Sequence, residues 1–111
     1  MNMSKELTAA TAVPTILAIL QLNSSYGYAI IQKVREISNN EISWSDGMLY
    51  PVLHRLESEQ LITSYWQSAD TGRRRKYYQI TDAGNRELEQ ITSQWSIVQH
   101  ALDQLEKERS R

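Results

Sequence analysis

A mostly α-helical fold carrying one small β-hairpin is the class this sequence predicts. Three observations predict it. Apolar residues recur at helical spacing in four separate stretches. Between the third and the fourth, the period drops from 3.6 to 2 on either side of a polar tip containing Gly72. The fourth stretch then keeps a heptad seam almost to the end of the chain.

Residues 5–22 read as a first helix, with Leu7, Ala10, Val13, Ile16, Leu17 and Leu20 in helical register. Pro14 removes one backbone hydrogen bond, so a kink or a second start is expected there. Asn23-Ser24-Ser25 is a turn, and Ser25 is placed to cap a second helix over Tyr26 to Ser38. Ala29, Ile30, Val34 and Ile37 share one face of that helix, and Asn39-Asn40 suits a left-handed exit. Ile42 and Trp44 alternate with polar neighbours, which predicts a very short strand.

The third helix opens at Ser45, a good N-cap, with Asp46 in its first turn. Leu49, Val52, Leu53 and Leu56 fall at i, i+3, i+4 and i+7, one buried face. The opposite face carries Gly47, Pro51, His54 and Ser58, flanked by Tyr50 and Arg55. Small, polar and aromatic side chains there suit either an ordinary surface helix or one that enters a groove. After Gln60, Ile62, Ser64 and Trp66 alternate with Thr63, Tyr65 and Gln67; S-A-D-T-G follows, then R-R-R-K-Y-Y-Q-I. Two β-prone runs around such a tip make a hairpin.

Thr81 caps the final helix, expected from Asp82 to Arg109 and roughly 40 Å long at the α-helical rise. Leu88, Ile91, Trp95, Val98, Leu102 and Leu105 form its seam at 3-4-3-4-3 spacing. Such a seam exceeds what a domain of this size covers by itself. It either packs along the first helix of its own chain or pairs with a second copy. The division expected is residues 1–81 as one unit and 82–111 as a dimerisation helix.

With 111 residues the chain makes one domain with a modest core. Hydrophobic residues at 41% and charged ones at 23% are globular proportions. The longest apolar run, Ile16 to Leu20, is too short to span a bilayer, and no signal peptide opens the chain. The absence of Cys removes disulfides and thiolate chemistry and fits a cytoplasmic address. Neither catalysis nor metal binding is indicated: His54 and His100 lie on different helices without paired carboxylates or ligand spacing, and no Gly-rich phosphate loop is present. No cofactor is implied.

Net charge is −1, but its distribution is uneven. Residues 61–81 hold Arg73, Arg74, Arg75 and Lys76 against Asp70 alone, about +3 in one short segment. This is either a solvated hairpin tip or an electrostatic footprint for nucleic acid. Strand alternation puts Arg73 and Arg75 on one side and Arg74 and Lys76 on the other, so the four cannot meet DNA equally. Helix, helix, short strand, helix, hairpin and long helix is the order of a winged helix-turn-helix followed by a dimerisation helix. In that arrangement the third helix suits a major groove and its first N–H groups a phosphate, while the hairpin tip suits backbone or minor-groove contact.

The segments Y-G-Y-A-I-I-Q-K-V (26–34), G-M-L-Y-P-V-L-H-R-L-E (47–57), L-I (61–62) and G-R-R-R-K-Y-Y-Q-I-T-D-A-G (72–84) resemble the PadR family of bacterial repressors. The most specific part is the G-x-L-Y-P…R-L-E helix followed by R-R-K-Y-Y. The S-x-W-S-x-V-like stretch from Ser93 to Val98 is similar to the small, LmrR-like subfamily that binds multiple drugs. Met48 stands where the family usually has Thr or Ser, and Gln60 where Gly commonly ends the helix.

The resemblance implies a homodimer on a roughly palindromic double-stranded DNA operator. Carried over, the DNA contacts are Ser45, Met48, Tyr50, Pro51, His54 and Arg55 on the third helix, with Arg73, Arg74, Arg75 and Lys76 on the wing. With few basic side chains, that helix is expected to read bases by shape and apolar contact. Trp95 is either a large filler of the dimer interface or, as the subfamily implies, a stacking surface for a planar aromatic effector. The effector site would comprise Leu7, Ala10, Val13, Pro14 and Ala18 with Leu88, Ile91, Trp95, Val98 and Gln99. The competing function is a winged-helix module for protein–protein assembly, its wing cations satisfied by an acidic partner.

Overall fold

Helix α1 (Lys5–Leu22) starts where Ser4 accepts the Leu7 N–H at 3.1 Å. The computed structural model, which describes residues 3–111, shows α1 running unbroken through Pro14. Pro14 has no N–H to donate to the Ala10 carbonyl, and Ala10 lies on the exposed side of the helix. One side of α1 gives the core Ala12, Ile16, Leu17 and Leu20.

Ser25 does not cap the second helix. It lies in a two-residue strand, β1 (Ser25–Tyr26), and α2 (Gly27–Ile37) begins at Tyr26 without a side-chain cap bond. The backbone of Ser25 and Tyr26 is drawn instead into pairing with a distant strand. Asn39 (φ 53°) and Asn40 (φ 67°) take the left-handed exit expected of them. No strand forms at Ile42–Trp44: the segment is irregular, tied back by the Ile42 N–H donating to the Ser38 hydroxyl at 2.9 Å. Its apolar residues face inward regardless, with Trp44 buried and Ile42 packed on the core.

Helix α3 (Asp46–Ser58) buries Leu49, Leu53 and Leu56 completely, with Val52 half-buried beside them. Ser45 caps it, accepting the Met48 N–H at 3.2 Å. Its end is a Schellman turn: Leu61 N–H reaches the Leu56 carbonyl at 2.9 Å and Gln60 N–H the Glu57 carbonyl at 3.0 Å. Gln60 occupies the left-handed position at φ 62°. Strands β2 (Ile62–Ser68) and β3 (Arg74–Ile80) then form the hairpin, in register from Ile62↔Ile80 to Ser68↔Arg74. β1 adds to its other side in the order β1-β3-β2, with Ser25↔Tyr78 and Tyr26↔Tyr77. Ile62 and Tyr78 point into the core.

Helix α4 (Asp82–Arg109) has the limits its periodicity predicts. The Thr81 hydroxyl accepts the Gly84 N–H at 3.0 Å and donates to the Gln60 carbonyl at 2.8 Å, joining both helix ends to the hairpin base. A Cβ on Gly84 would press on the Leu61 carbonyl oxygen and lie 2.7 Å from Ile80 Cγ1, so glycine permits this close approach. Leu88 is buried, and the Gln21 amide donates to Asn85 at 2.9 Å, fixing the first turns of α4 to α1. From Thr92 onward every residue is exposed. The protruding helix gives the chain its extents of 62 × 31 × 21 Å. Among the described residues, no helix is long and apolar enough to cross a membrane.

Candidate nucleic-acid interface

The outer face of α3 and the inner face of the hairpin converge on an open cleft of about 610 Å³. Tyr50 and His54 line it from α3, and Arg73, Arg74, Arg75 and Lys76 from the wing. Tyr26 and Tyr28 enter from the start of α2, Trp66 and Tyr78 from the sheet. Six of the ten residues expected to meet DNA therefore share one concavity. Sequence reasoning missed Tyr28 and Trp66, which are 63% and 57% exposed, far more than large aromatics need be without a partner. For Trp66 a signal existed: it alternates with Ile62 and Ser64, and so shares their inward face.

The wing cations differ in surroundings. Arg73 lies in the tip turn, its carbonyl accepting from the Ala69 N–H at 2.7 Å. The Arg74 guanidinium stands 5.3 Å from the Trp66 ring, and that of Arg75 stands 4.5 Å from the Tyr26 ring on the other face. Stacked in this way, each keeps its charge and its edge donors for a further acceptor. Lys76 turns inward to Glu57 of α3, 3.8 Å away, and lies 5.6 Å from the Tyr78 ring. Glu57 also accepts a short hydrogen bond from the Ser64 hydroxyl of β2. Burial, then the charges of Glu57 and Tyr50, push the Tyr78 phenol above its ordinary range. On the outer face of the sheet, Tyr65 stacks on Tyr77 and Tyr77 meets Tyr26 edge-on.

Four of the expected residues lie elsewhere. Ser45 is engaged as the cap, and Pro51 is exposed outside the cleft. Met48 is half-buried against the core and, with Arg55, lines a separate apolar groove shared with Ala12, Val13 and Val52. Arg55 is within 4.0 Å of Glu59, one turn along and well exposed.

A small sheet on a three-helix core, a capped helix facing a cationic hairpin and a projecting last helix is an arrangement found in solved structures. A transcriptional regulator from Clostridium thermocellum superposes with a TM-score of 0.81 at 27% identity, covering 90% of this chain and 97% of that one. A PadR-like transcriptional regulator from Bacillus cereus gives 0.79 at 30% identity, covering 91% and 96%. An uncharacterised protein from Lysinibacillus sphaericus is 33% identical over 88 residues, 79% of this chain and 81% of that one. The model of the transcriptional regulator PadR-like family matches residues 16–90. This chain belongs to that family.

A PadR-like chain is a regulator and not an enzyme. The matched segment holds α3, the wing and the cleft between them, and it stops before most of the α4 seam. The expected effector residues divide accordingly. Pro14, Ala18 and Leu88 meet in an apolar groove of about 340 Å³ between α1, α2 and α4, together with Ile19, Leu22 and Ile37. Val13 faces the groove behind α3 instead, and Leu7 and Ala10 are exposed on α1. Ile91 is half-buried, while Trp95 (43%), Val98 and Gln99 stand open on α4, the Gln99 amide donating to Asp103 at 3.0 Å. Within this PadR-like chain, then, Trp95 faces solvent.

Proposed function

We propose that this chain is a transcriptional repressor that binds DNA as a homodimer, each copy setting α3 and its wing on one half of a palindromic operator. The observation that carries this reading is the cleft, in which the α3 face with Tyr50 and His54 opposes Arg73 and Arg74, while Arg75 adds its charge from over Tyr26 on the other face of the hairpin. A slim helix face fits a major groove, and a cationic strand beside it fits the adjoining phosphates. Dimerisation is supported by Trp95, Val98, Leu102 and Leu105, a heptad seam that the chain itself leaves uncovered. We further propose that a planar aromatic effector stacks on Trp95 between two α4 helices and relieves repression; two symmetry-related indoles offer both sides of such a sandwich.

Gel shift against the DNA upstream of its own gene tests the first part. Affinity should fall steeply with salt as counterions are released. Joint replacement of Arg73, Arg74 and Arg75 by Ala should abolish most of that dependence. If it leaves binding unchanged, the wing assignment is wrong, and an acidic protein partner becomes the better reading. Tryptophan fluorescence tests the second part. A planar cationic dye should quench it, Trp95→Ala should remove the response, and no quenching across several dyes would reject the effector site.

A further inference from the structure

We infer that Glu57 is a positioning residue that fixes the wing against α3, and that Lys76 serves this clamp instead of the DNA phosphates. The inference rests on the DNA-binding reading above and sorts its four wing cations into two kinds. Glu57 lies in the last turn of α3, and its carboxylate joins three elements: one oxygen takes the Ser64 hydroxyl of β2, the other faces the Lys76 ammonium of β3 at 3.8 Å. Both charged side chains are only about a third exposed, 34% for Lys76 and 32% for Glu57. The Arg55–Glu59 pair on the same helix is nearly twice as exposed and correspondingly weak.

Charge bookkeeping separates Lys76 from the arginines. An arginine stacked on a ring, as Arg74 on Trp66 and Arg75 on Tyr26, remains a full positive charge toward an incoming phosphate. Lys76 is matched by the Glu57 carboxylate already, so the pair brings almost no net charge to the cleft. Geometry gives the pair its use. The hairpin is anchored at its base, near Leu61 and Thr81, while the cations lie toward its tip. Small rotation at the base therefore moves Arg73 and Arg74 far relative to Tyr50 and His54. Glu57 blocks that rotation by bonding both strands partway along, at Ser64 and Lys76. A fixed span between helix and wing makes the protein sensitive to the distance between base edges and phosphates, which is a source of specificity.

Fluorescence anisotropy with the full-length protein, a labelled upstream duplex and a scrambled duplex tests this across a salt series. Arg73→Ala should lower the slope of log K against log salt by about 1. Lys76→Met combined with Glu57→Gln removes the pair with no change in net charge, so it should leave the slope unchanged and reduce the upstream-to-scrambled affinity ratio roughly ten-fold, the scale of one lost base contact. Glu57→Gln, which frees Lys76, should raise the slope by about 1 and reduce the ratio similarly. Ser64→Ala changes no charge and guards against a misfolded Glu57 variant: it should reduce the ratio with the slope intact. A slope for the Lys76→Met, Glu57→Gln double variant that falls as far as that of Arg73→Ala would overturn the clamp and make Lys76 a phosphate contact. Unchanged ratios in both Glu57→Gln and Ser64→Ala would overturn it as well. A wild-type affinity indifferent to salt would defeat the DNA-binding reading, and this inference with it.

Discussion

Tyr50 lies directly over Gly27. A Cβ on Gly27 would stand 2.7 Å from Tyr50 Cζ and 3.2 Å from its Cε1, so the most prominent aromatic of α3 is seated by the missing side chain of α2. Gly27→Ala should push the Tyr50 ring out of its place in the cleft. The helix-propensity gain from Ala, up to about 1 kcal/mol, works against the overpacking cost, so the midpoint of unfolding should hardly move. Affinity for the upstream DNA should nonetheless fall roughly ten-fold, the size of one misplaced contact. In a Tyr50→Ala background the same Gly27→Ala change should cost almost nothing further; a full additive loss would show that the two residues act separately.

The seating of Tyr50 also marks where sequence patterns stop being informative. Helical periodicity named the buried face of α3 because it is a local property of one segment, and Leu49, Leu53 and Leu56 are indeed buried. Of the α4 seam, the fold of one chain buries Leu88 and leaves Trp95, Val98, Leu102 and Leu105 exposed. The caps at Ser45 and Thr81 were equally local. β1 was not legible: two residues carry no period, and Ser25 is fixed by Tyr78, far along the chain. Trp44 alternates with its neighbours as a strand residue would, yet it fills the core from an irregular segment. The cleft was half legible. Arg73 to Lys76 declared themselves by charge, whereas Tyr28 and Trp66 enter the site only because α2 and β2 are folded against α3.

Gln60 holds a left-handed backbone at φ 62° at the close of α3, and it is exposed. A side chain there costs roughly 1–2 kcal/mol, while glycine would cost about 0.5–1 kcal/mol in lost unfolded-state freedom. Gln60→Gly should therefore stabilise the fold by roughly 0.5–1 kcal/mol, read as a higher denaturant midpoint at constant slope. The Schellman bonds from Leu61 to Leu56 and from Gln60 to Glu57 are backbone bonds and should persist. A lower midpoint would mean that the Gln60 side chain makes a stabilising contact.

The buried Tyr78 phenol sets an alkaline limit. Its ordinary value of 10.0 is raised in the folded state, first by burial and then by Glu57 and Tyr50. A raised value means that the folded chain holds this proton more tightly than the unfolded one. The associated stability is whole below about pH 10 and is lost as pH climbs from there through the folded value. Denaturant midpoints measured from about pH 8 to 11 should decline at the upper end, and Tyr78→Phe should flatten that decline. An equal decline in Tyr78→Phe would assign the alkaline loss to another group.

The uncovered seam gives the sharpest separation between folding and function. Leu102 is 56% exposed on a part of α4 that no other element of its own chain reaches, so a charge there removes no packing from the protomer. In a pair of α4 helices the same position is a seam position, where a carboxylate would be desolvated opposite its own copy. Leu102→Glu should keep the helical circular dichroism and the thermal midpoint of the winged part. Its mass by sedimentation should drop to that of one chain. Upstream DNA affinity should fall about 100-fold or more, because two linked half-sites are replaced by one. A variant that sediments as a dimer would move the interface away from the seam, and a monomer that still bound the whole operator at full affinity would show that a single winged unit is sufficient.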